Sequence, residues 1–381
     1  MKILFVIDSL RFGGAQRQLV ELIKGLHYRR HDVHLVSLKK DKEGYAEILT
    51  ALGIELFYYY RTFNYDLKPV FIISQHIKNN QIDLVHSFMT VGGLMGMLAA
   101  KLTERPIVCS ALRDAKDSDF MMKIEHKILA RFTNTFVANS RAGFTNRFKR
   151  MKPHFRVVYN GVDFSRFEAE TDILKLKYEL GLSDFKYVIG MVASLSERKD
   201  HETLLDAAPL VIQVFPDTCF LLVGDGLNRE YLVNKAKKQG LEKNIIFLGY
   251  RSDVDQIIRL PDVSVLLSNS DVHLEGISNA IMESMAVGVP VIASEGGGTD
   301  EIVINDINGI LVPAKNSQKT ADAIIELLRD KNKAEKLANK AKITARGIFN
   351  LKRYVDDYEN IYRELKIEEE YLSCNDSGSY Q

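Results

Sequence analysis

The chain has 381 residues, enough for two domains at about 150 residues each, and 46% of them are hydrophobic against 27% charged. With 51 Lys+Arg against 50 Asp+Glu the formal net charge is +1, which excludes a disordered chain and a global nucleic-acid polycation. Cys109, Cys219 and Cys374 lie more than a hundred residues apart, so a disulfide framework and a Cys-rich metal site are excluded and a reducing compartment, the cytoplasm, is expected.

The N-terminal run from Lys2 to Asp8 meets a charge after five apolar residues, short of the about 7 to 15 of a secretory signal, and no leader is expected. Short runs rich in Val, Ile, Leu and Phe recur at Val33 to Leu38, Ile54 to Tyr59, Asp83 to Phe88, Ile107 to Leu112, Thr135 to Ser140 and Arg156 to Asn160, with helix-like spacing between most of them. That alternation predicts a parallel sheet covered on both faces. The uncharged stretch from Leu84 to Ala100 contains Gly92, Gly93 and Gly96 and is shorter than the about 20 apolar residues of a spanning helix. It reads as a strand, a glycine turn and a buried helix.

The pattern breaks at Asn160-Gly161-Val162-Asp163, and no strand-like run follows until about Asp184, so the domain junction falls there. A second series begins at Tyr187 to Ala193 and continues through Thr218 to Asp225, Ile245 to Tyr250, Val263 to Asn269, Val289 to Ser294 and Gly309 to Pro313. The expected domains are residues 1–163 and 184–351, both doubly wound α/β units facing a cleft, with helix to about Tyr371 and a disordered tail over 372–381.

The strongest constellation is Glu275-Gly276-Ile277-Ser278-Asn279-Ala280-Ile281-Met282-Glu283, which follows an apolar run. Ser278 or Asn279 caps a helix that ends at Gly288, so Glu275 sits in the preceding loop and Glu283 in the first turns. The first-turn amides make an anion site with a carboxylate on either side: amides suit phosphates and carboxylates suit hydroxyls. Two glutamates with seven residues between them, in a Glu-Gly-hydrophobic-x-Asn context and before Glu295-Gly296-Gly297-Gly298, resemble the signature of glycosyltransferase family 4, retaining enzymes of the GT-B fold. The resemblance spans nearly the whole chain. It implies that Glu275 bonds hydroxyls of a transferred sugar and Glu283 the ribose of a UDP- or GDP-linked donor, with no metal and no cofactor. It also implies that the helix over 352–371 crosses back to complete the first domain, and that closure hinges at Asn160 to Asp163.

Gly13-Gly14 follows the first strand and opens a helix, as the family's diphosphate loop does, and it lacks the third glycine of a dinucleotide fingerprint. Where the family carries an arginine and then a lysine five residues on, this chain has Ser194 and Lys199, with Arg198 the candidate substitute. Gly224-Asp225 and Tyr250-Arg251 end strands that in the family line the nucleotide pocket, Tyr250 or Arg251 holding the base. Where many members place a histidine near the reacting sugar, this chain has none, and Arg113 is either a cation for the leaving phosphate or half of a structural Arg–Asp pair. His86 and His273 fall near the expected site and read as packed or surface residues.

Two features concern the acceptor. Six aromatics crowd Phe57 to Tyr65, either as faces for a sugar ring or as ordinary strand-end packing. From Lys123 to Arg156 there are nine basic residues against one acid, Glu125, and with Phe144, Phe148 and Met151 they read as a patch for an anionic membrane surface rather than for nucleic acid. The sequence thus predicts a retaining transferase acting on a glycan or lipid-linked acceptor. A nucleotide-sugar epimerase or hydrolase remains open at this point, as does a catalytically silent nucleotide-sugar-binding partner, which Ser194 and the missing histidine motivate.

Overall fold

The structure, a computed structural model, describes residues 1–42, 44–60, 66–169 and 171–377, with side chains through residue 368. The chain divides into two compact units, Met1–Gly161 with Leu351–Gln381, and Val162–Asn350.

In unit 1 the elements alternate as β1 (Lys2–Ile7), α1 (Gly14–Tyr28), β2 (Asp32–Ser37), α2 (Ala46–Ala51), β3 (Glu55–Tyr58), α3 (Lys68–Asn79) and β4 (Leu84–Phe88). They continue as α4 (Thr90–Leu102), β5 (Ile107–Leu112), α5 (Phe120–Phe132), β6 (Thr135–Ala138), α6 (Arg141–Thr145) and β7 (Phe155–Val157). All seven strands are parallel in the order β3-β2-β1-β4-β5-β6-β7, so winding reverses between β1 and β4. Apolar residues of β1 serve both faces: Ile3, Phe5 and Ile7 join one core, Leu4 and Val6 the other.

The glycines of the uncharged stretch are not a turn. The turn is Met89, at φ 62°, and the glycines lie inside α4, where they let the helix approach the sheet. A Cβ on Gly92 would meet the Ile7 Cα and Val6 carbonyl oxygen at 3.0 Å.

Unit 2 starts with one 3-10 turn, Phe164–Phe167, and α7 (Ile173–Glu179), each begun by an aspartate that accepts a backbone amide, Asp163 and Asp172. Then come β8 (Tyr187–Val192), α8 (His201–Val214), β9 (Thr218–Val223), α9 (Arg229–Lys238), β10 (Ile245–Gly249) and α10 (Val254–Ile257). The unit closes with β11 (Val263–Leu266), α11 (Asn279–Val287), β12 (Val291–Ser294), α12 (Thr299–Ile302), β13 (Ile310–Val312), α13 (Ser317–Arg329) and α14 (Lys331–Ile348). Its six parallel strands order as β10-β9-β8-β11-β12-β13, with the reversal between β8 and β11. Ligands of such sheets bind beyond the carboxyl ends of the strands at the reversal.

The last helix, α15 (Leu351–Ser377), returns to unit 1 and buries Tyr354, Tyr358 and Tyr362 in the core that contains Phe5 and Phe88. It runs past Tyr371 into the segment expected to be disordered, because Glu368 to Leu372 are good helix formers and nothing breaks the turn before Ser377. The Tyr362 hydroxyl lies 2.6 Å from His86 Nδ1, and Ser110 Oγ lies 2.8 Å from His86 Nε2 and 3.0 Å from the Tyr358 hydroxyl. His86 is therefore a packed core histidine, and burial, with the Arg113 charge, lowers its pKa well below the ordinary value. Cys109 and Cys219 are free thiols pushed up to about 12 by burial.

Candidate active site

The loop after β11 and the start of α11 bring most of the predicted unit 2 residues together. Glu275 is buried, and its Oε1 gathers three partners: the Lys199 ammonium, the Ser268 hydroxyl at 2.9 Å and His273 Nε2 at 3.3 Å. Burial pushes this carboxyl up, but the Lys199 charge and the His273 bond pull harder, so it is held well below the usual carboxylate range. Lys199 reaches it because residue 199 bridges Ser268 across the ends of β8 and β11. The lysine expected to face a diphosphate is thus paired with Glu275. Arg198, its neighbour, is exposed.

The Glu275 carbonyl accepts the Gly298 amide at 2.7 Å, which ties the loop to the glycine turn after β12. Gly276 and Ile277 are buried, and Ser278 occupies the N-cap of α11 in an extended conformation. Its hydroxyl makes no capping bond, contrary to the sequence expectation; the first turn, beginning at Asn279, has no side-chain cap. Gly288, in the left-handed region, ends the helix before Pro290 as expected. Glu283 is buried, and Arg166 Nη1 lies 3.3 Å from its Oε1.

The turns after the neighbouring strands surround this loop. Gly224 has φ +139°, and a Cβ there would stand 2.1 Å from the Ala193 carbonyl oxygen, so only glycine fits. The Asp225 carbonyl takes the Leu195 amide at 3.0 Å, fixing the segment that carries Ser194, whose hydroxyl lies 3.2 Å from that of Ser196. Tyr250 is exposed after β10. Arg251 forks onto Asp253 at 2.9 and 2.7 Å.

In unit 1, Gly13 caps α1 with an extended backbone, φ −174°, open to any residue, and a Cβ there would meet only the movable end of Gln16. Gly14 begins the helix. Arg113, just beyond β5, does not pair with Asp114; its three guanidinium nitrogens are buried without a well-formed hydrogen bond, 5.1 Å from the Phe88 ring centroid. Asp114 instead pairs with Arg147 at 2.8 Å, and Arg147 also bonds Asp117. This corrects three members of the basic patch: Arg147 is 4% exposed, and Phe144 and Phe148 belong to the ring cluster with Phe136 and Phe155. Arg141, Lys149, Arg150, Met151 and Lys152 are exposed, and α5 adds exposed Phe120, Met121, Ile124 and Ile128 with Lys123, Lys127 and Arg131.

The aromatic segment splits by strand alternation. Phe57 and Tyr59 pack inward, Tyr59 bonding His76 at 3.1 Å, while Tyr58 and Tyr60 stack at 6.2 Å; the part from Arg61 to Tyr65 lies outside the described residues. Tyr60 borders a cavity of about 430 Å³ with Asp8, Arg11, Lys39 and Asp41 at the carboxyl ends of β1 and β2. Sequence reasoning missed Ser268 and Arg166, and it placed His273, two residues before Glu275, near the site only as a packed or surface residue.

Comparison with known proteins agrees with this geometry. The model of the Glycosyltransferase Family 4 matches residues 12–166, and that of Glycosyl transferases group 1 matches residues 172–344. The chain is 26% identical over 317 residues to the UDP-Gal:alpha-D-GlcNAc-diphosphoundecaprenol alpha-1,3-galactosyltransferase of Escherichia coli, covering 79% of this chain and 80% of that one. It is 24% identical over 371 residues to the N-acetyl-alpha-D-glucosaminyl L-malate synthase of Bacillus anthracis, covering 93% and 94%. Among solved structures it resembles Anabaena HepE in complex with UDP-glucose, with a TM-score of 0.85 and 27% identity over 96% of this chain and all of that one. With both matched families glycosyltransferases, the epimerase or hydrolase and silent-partner readings are not favoured. Two doubly wound units, a signature loop with both glutamates buried and matches to both halves agree: the chain belongs to glycosyltransferase family 4 and is a sugar-transferring enzyme of the GT-B fold.

Proposed function

We propose that this enzyme moves a hexosyl group, with retention, from a UDP-sugar to a hydroxyl of a glycan or lipid-linked acceptor in the synthesis of a cell-surface polysaccharide or glycolipid. The observation that carries the reading is Glu275, a buried carboxylate kept ionised by Lys199 and His273 and so able to accept bonds from sugar hydroxyls. UDP is favoured over GDP by the likeness to HepE bound to UDP-glucose and to the UDP-galactose-dependent relative.

In this reading Glu283 accepts the ribose hydroxyls, Tyr250 meets the base, and the turns at Ser194, Gly224 and Asp225 line the pocket, with Arg198 at its rim. Lys199, shared with Glu275, and the backbone at Gly276 to Asn279 oppose the charge that develops on the diphosphate. The acceptor oxygen bonds to the anomeric carbon as the carbon–phosphate oxygen bond breaks, and the electron pair leaves with UDP. Attack from the same face puts the acceptor proton next to the departing phosphate oxygen, which takes it. Gly13 and Gly14 give the chain's backbone room for an approaching ligand, and the cavity beside Tyr60 offers an aromatic face, carboxylates and two cations to the acceptor. Arg113 supplies positive charge near the carboxyl end of β5.

The test is calorimetry with UDP and GDP, followed by product analysis with UDP-hexoses. UDP binding and a product anomer matching that of the donor are expected; an inverted anomer removes the retaining reading, and binding of GDP alone removes the donor.

A membrane-surface reading on the acceptor side draws on α5 as well as on the exposed Lys149, Arg150, Met151 and Lys152. Phe120, the most exposed of the α5 apolar residues at 76%, sits with three cations on a helix that suits an anionic lipid surface on the cytoplasmic face. No described helix is long and apolar enough to cross a membrane.

A further inference from the structure

At the end of the unit 2 sheet opposite the signature loop lies a second cavity, of about 480 Å³. Pro261 and Pro290 line it just before β11 and β12 begin, at the amino ends of the strands, whereas Glu275 and Gly224 follow strand carboxyl ends. Its volume is within the range of small-molecule sites, about 300 to 1,000 Å³.

Its chemistry is asymmetric. Among the described residues Arg259, Lys342 and Arg346 line it against one acid, the exposed Glu168. Among the described residues neither Lys342 nor Arg346 has a carboxylate partner. They stand one turn apart on α14 and so share a face. Arg259 is anchored by neutral acceptors, the Phe167 carbonyl, the Ala169 carbonyl at 2.9 Å and Thr171 Oγ1 at 3.2 Å, so its charge is fixed in place, and among the described residues no carboxylate pairs with it. Lys342 also lies beside Gly288, at the negative end of α11, which accounts for part of its position; Arg346 is spread over the Phe164 ring at 5.9 Å. Phe164 and Phe167 complete an aromatic wall. Cations fixed beside a flat apolar wall suit a phosphate carried on a ring.

The wall is linked to the signature glutamate. Phe164 and Phe167 are the ends of the 3-10 turn whose third residue is Arg166, the partner of Glu283. A ligand on this wall therefore lies against the turn that carries the partner of Glu283.

We propose that this cavity is an effector site for a small phosphate ester, with the phosphate held by Lys342 and Arg346 and its ring against Phe164 and Phe167, and that occupancy alters nucleotide affinity through Arg166 and Glu283. The coupling half rests on the reading of Glu283 as a nucleotide contact; the site itself does not.

The experiment is calorimetry on the full chain, first with UDP alone and then, with UDP saturating, with AMP, glucose 6-phosphate and inorganic phosphate. An ester should bind alongside UDP and weaken at least about tenfold when Lys342→Gln and Arg346→Gln are combined, while UDP affinity without ester is unchanged. By linkage the ester should shift UDP affinity by about fivefold or more, and Arg166→Ala should abolish that shift. Esters excluded by UDP, bound equally by the double variant, or bound no better than inorganic phosphate overturn the site. Ester binding with no change in UDP affinity overturns the coupling alone. Failure of UDP to bind refutes the donor reading instead, and the esters are then titrated against wild type and double variant without it.

Discussion

His273 Nε2 lies 3.3 Å from Glu275 Oε1, the same oxygen that meets the Lys199 ammonium and the Ser268 hydroxyl. One carboxylate oxygen therefore anchors three side chains from the ends of β8 and β11 and the loop that follows. The anionic centre is thus fixed by this chain's own side chains.

Replacement of Glu275 should therefore damage both stability and turnover. Removing one member of a buried ion pair costs about 3 to 5 kcal/mol, because the other charge is left uncompensated. Glu275→Gln keeps the shape and is expected to lose far more kcat than UDP affinity. Lys199→Ala should cost similar stability and also weaken UDP. Denaturation midpoints with kcat and UDP dissociation constants separate these effects; a Glu275→Gln enzyme with wild-type turnover removes its proposed contact with the sugar.

The acid side of the stability profile should be set by histidines. Burial lowers His201 from 6.5 to about 4, so its contribution is present above 6.5 and is lost as pH falls toward 4. By pH 5 about 2 kcal/mol should be gone, and His86 adds to the loss in the same direction. The Glu275 carboxyl is depressed, so its contribution holds above the unfolded carboxylate value and disappears only as pH falls below it. Urea midpoints at pH 7 and 5 should drop in wild type and drop less in His201→Gln; an equal drop in both excludes His201 as the cause.

Arg147→Ala tests the correction to the basic patch. With its guanidinium between Asp114 and Asp117, its loss should destabilise unit 1 by about 3 kcal/mol or more, whereas Lys149→Glu and Arg150→Glu, both exposed, should change stability little. The readout is chemical denaturation of the three variants side by side.

Vesicle binding should follow α5. Phe120→Ser combined with Lys123→Glu is expected to reduce association with anionic vesicles at unchanged turnover on a soluble acceptor. Undiminished cosedimentation would remove the membrane reading from this helix.

Gly224→Ala should break the turn after β9. Its φ of +139° strains any side chain by about 1 to 3 kcal/mol, and the added Cβ meets the Ala193 carbonyl oxygen at 2.1 Å. Loss of UDP affinity by about tenfold or more is expected with the rest of unit 2 folded, as far-UV circular dichroism would report. Retained affinity would show that the turn does not line the nucleotide pocket.

These contrasts also mark how far the sequence is legible. Strands such as Lys2–Ile7 and Tyr187–Val192 are readable because a strand buried on both faces is a run of apolar residues, and a run is a local property. Glu275 and Glu283 are readable because their spacing is fixed by one loop and one helix. Arg147 misleads because counting charges reveals no partners, and Asp114 and Asp117 lie some thirty residues upstream. Arg166 is invisible for the same reason, its glutamate standing more than a hundred residues away. Glycine in the stretch from Leu84 is ambiguous between a turn and a close helix contact, and only the packing of α4 on β1 decides it.

Unit 1 is made from both ends of the chain, which fixes the order in which the protein is completed as it is made. The seven strands of unit 1 leave the ribosome first, yet Tyr354, Tyr358 and Tyr362, which cover Phe5 and Phe88 and bond with His86 and Ser110, arrive after every strand of unit 2. The half begun first is finished last, and through the synthesis of residues 162–350 it carries an uncovered apolar face. A nonsense codon between unit 2 and Tyr354 thus injures the unit whose strands are encoded upstream of unit 2.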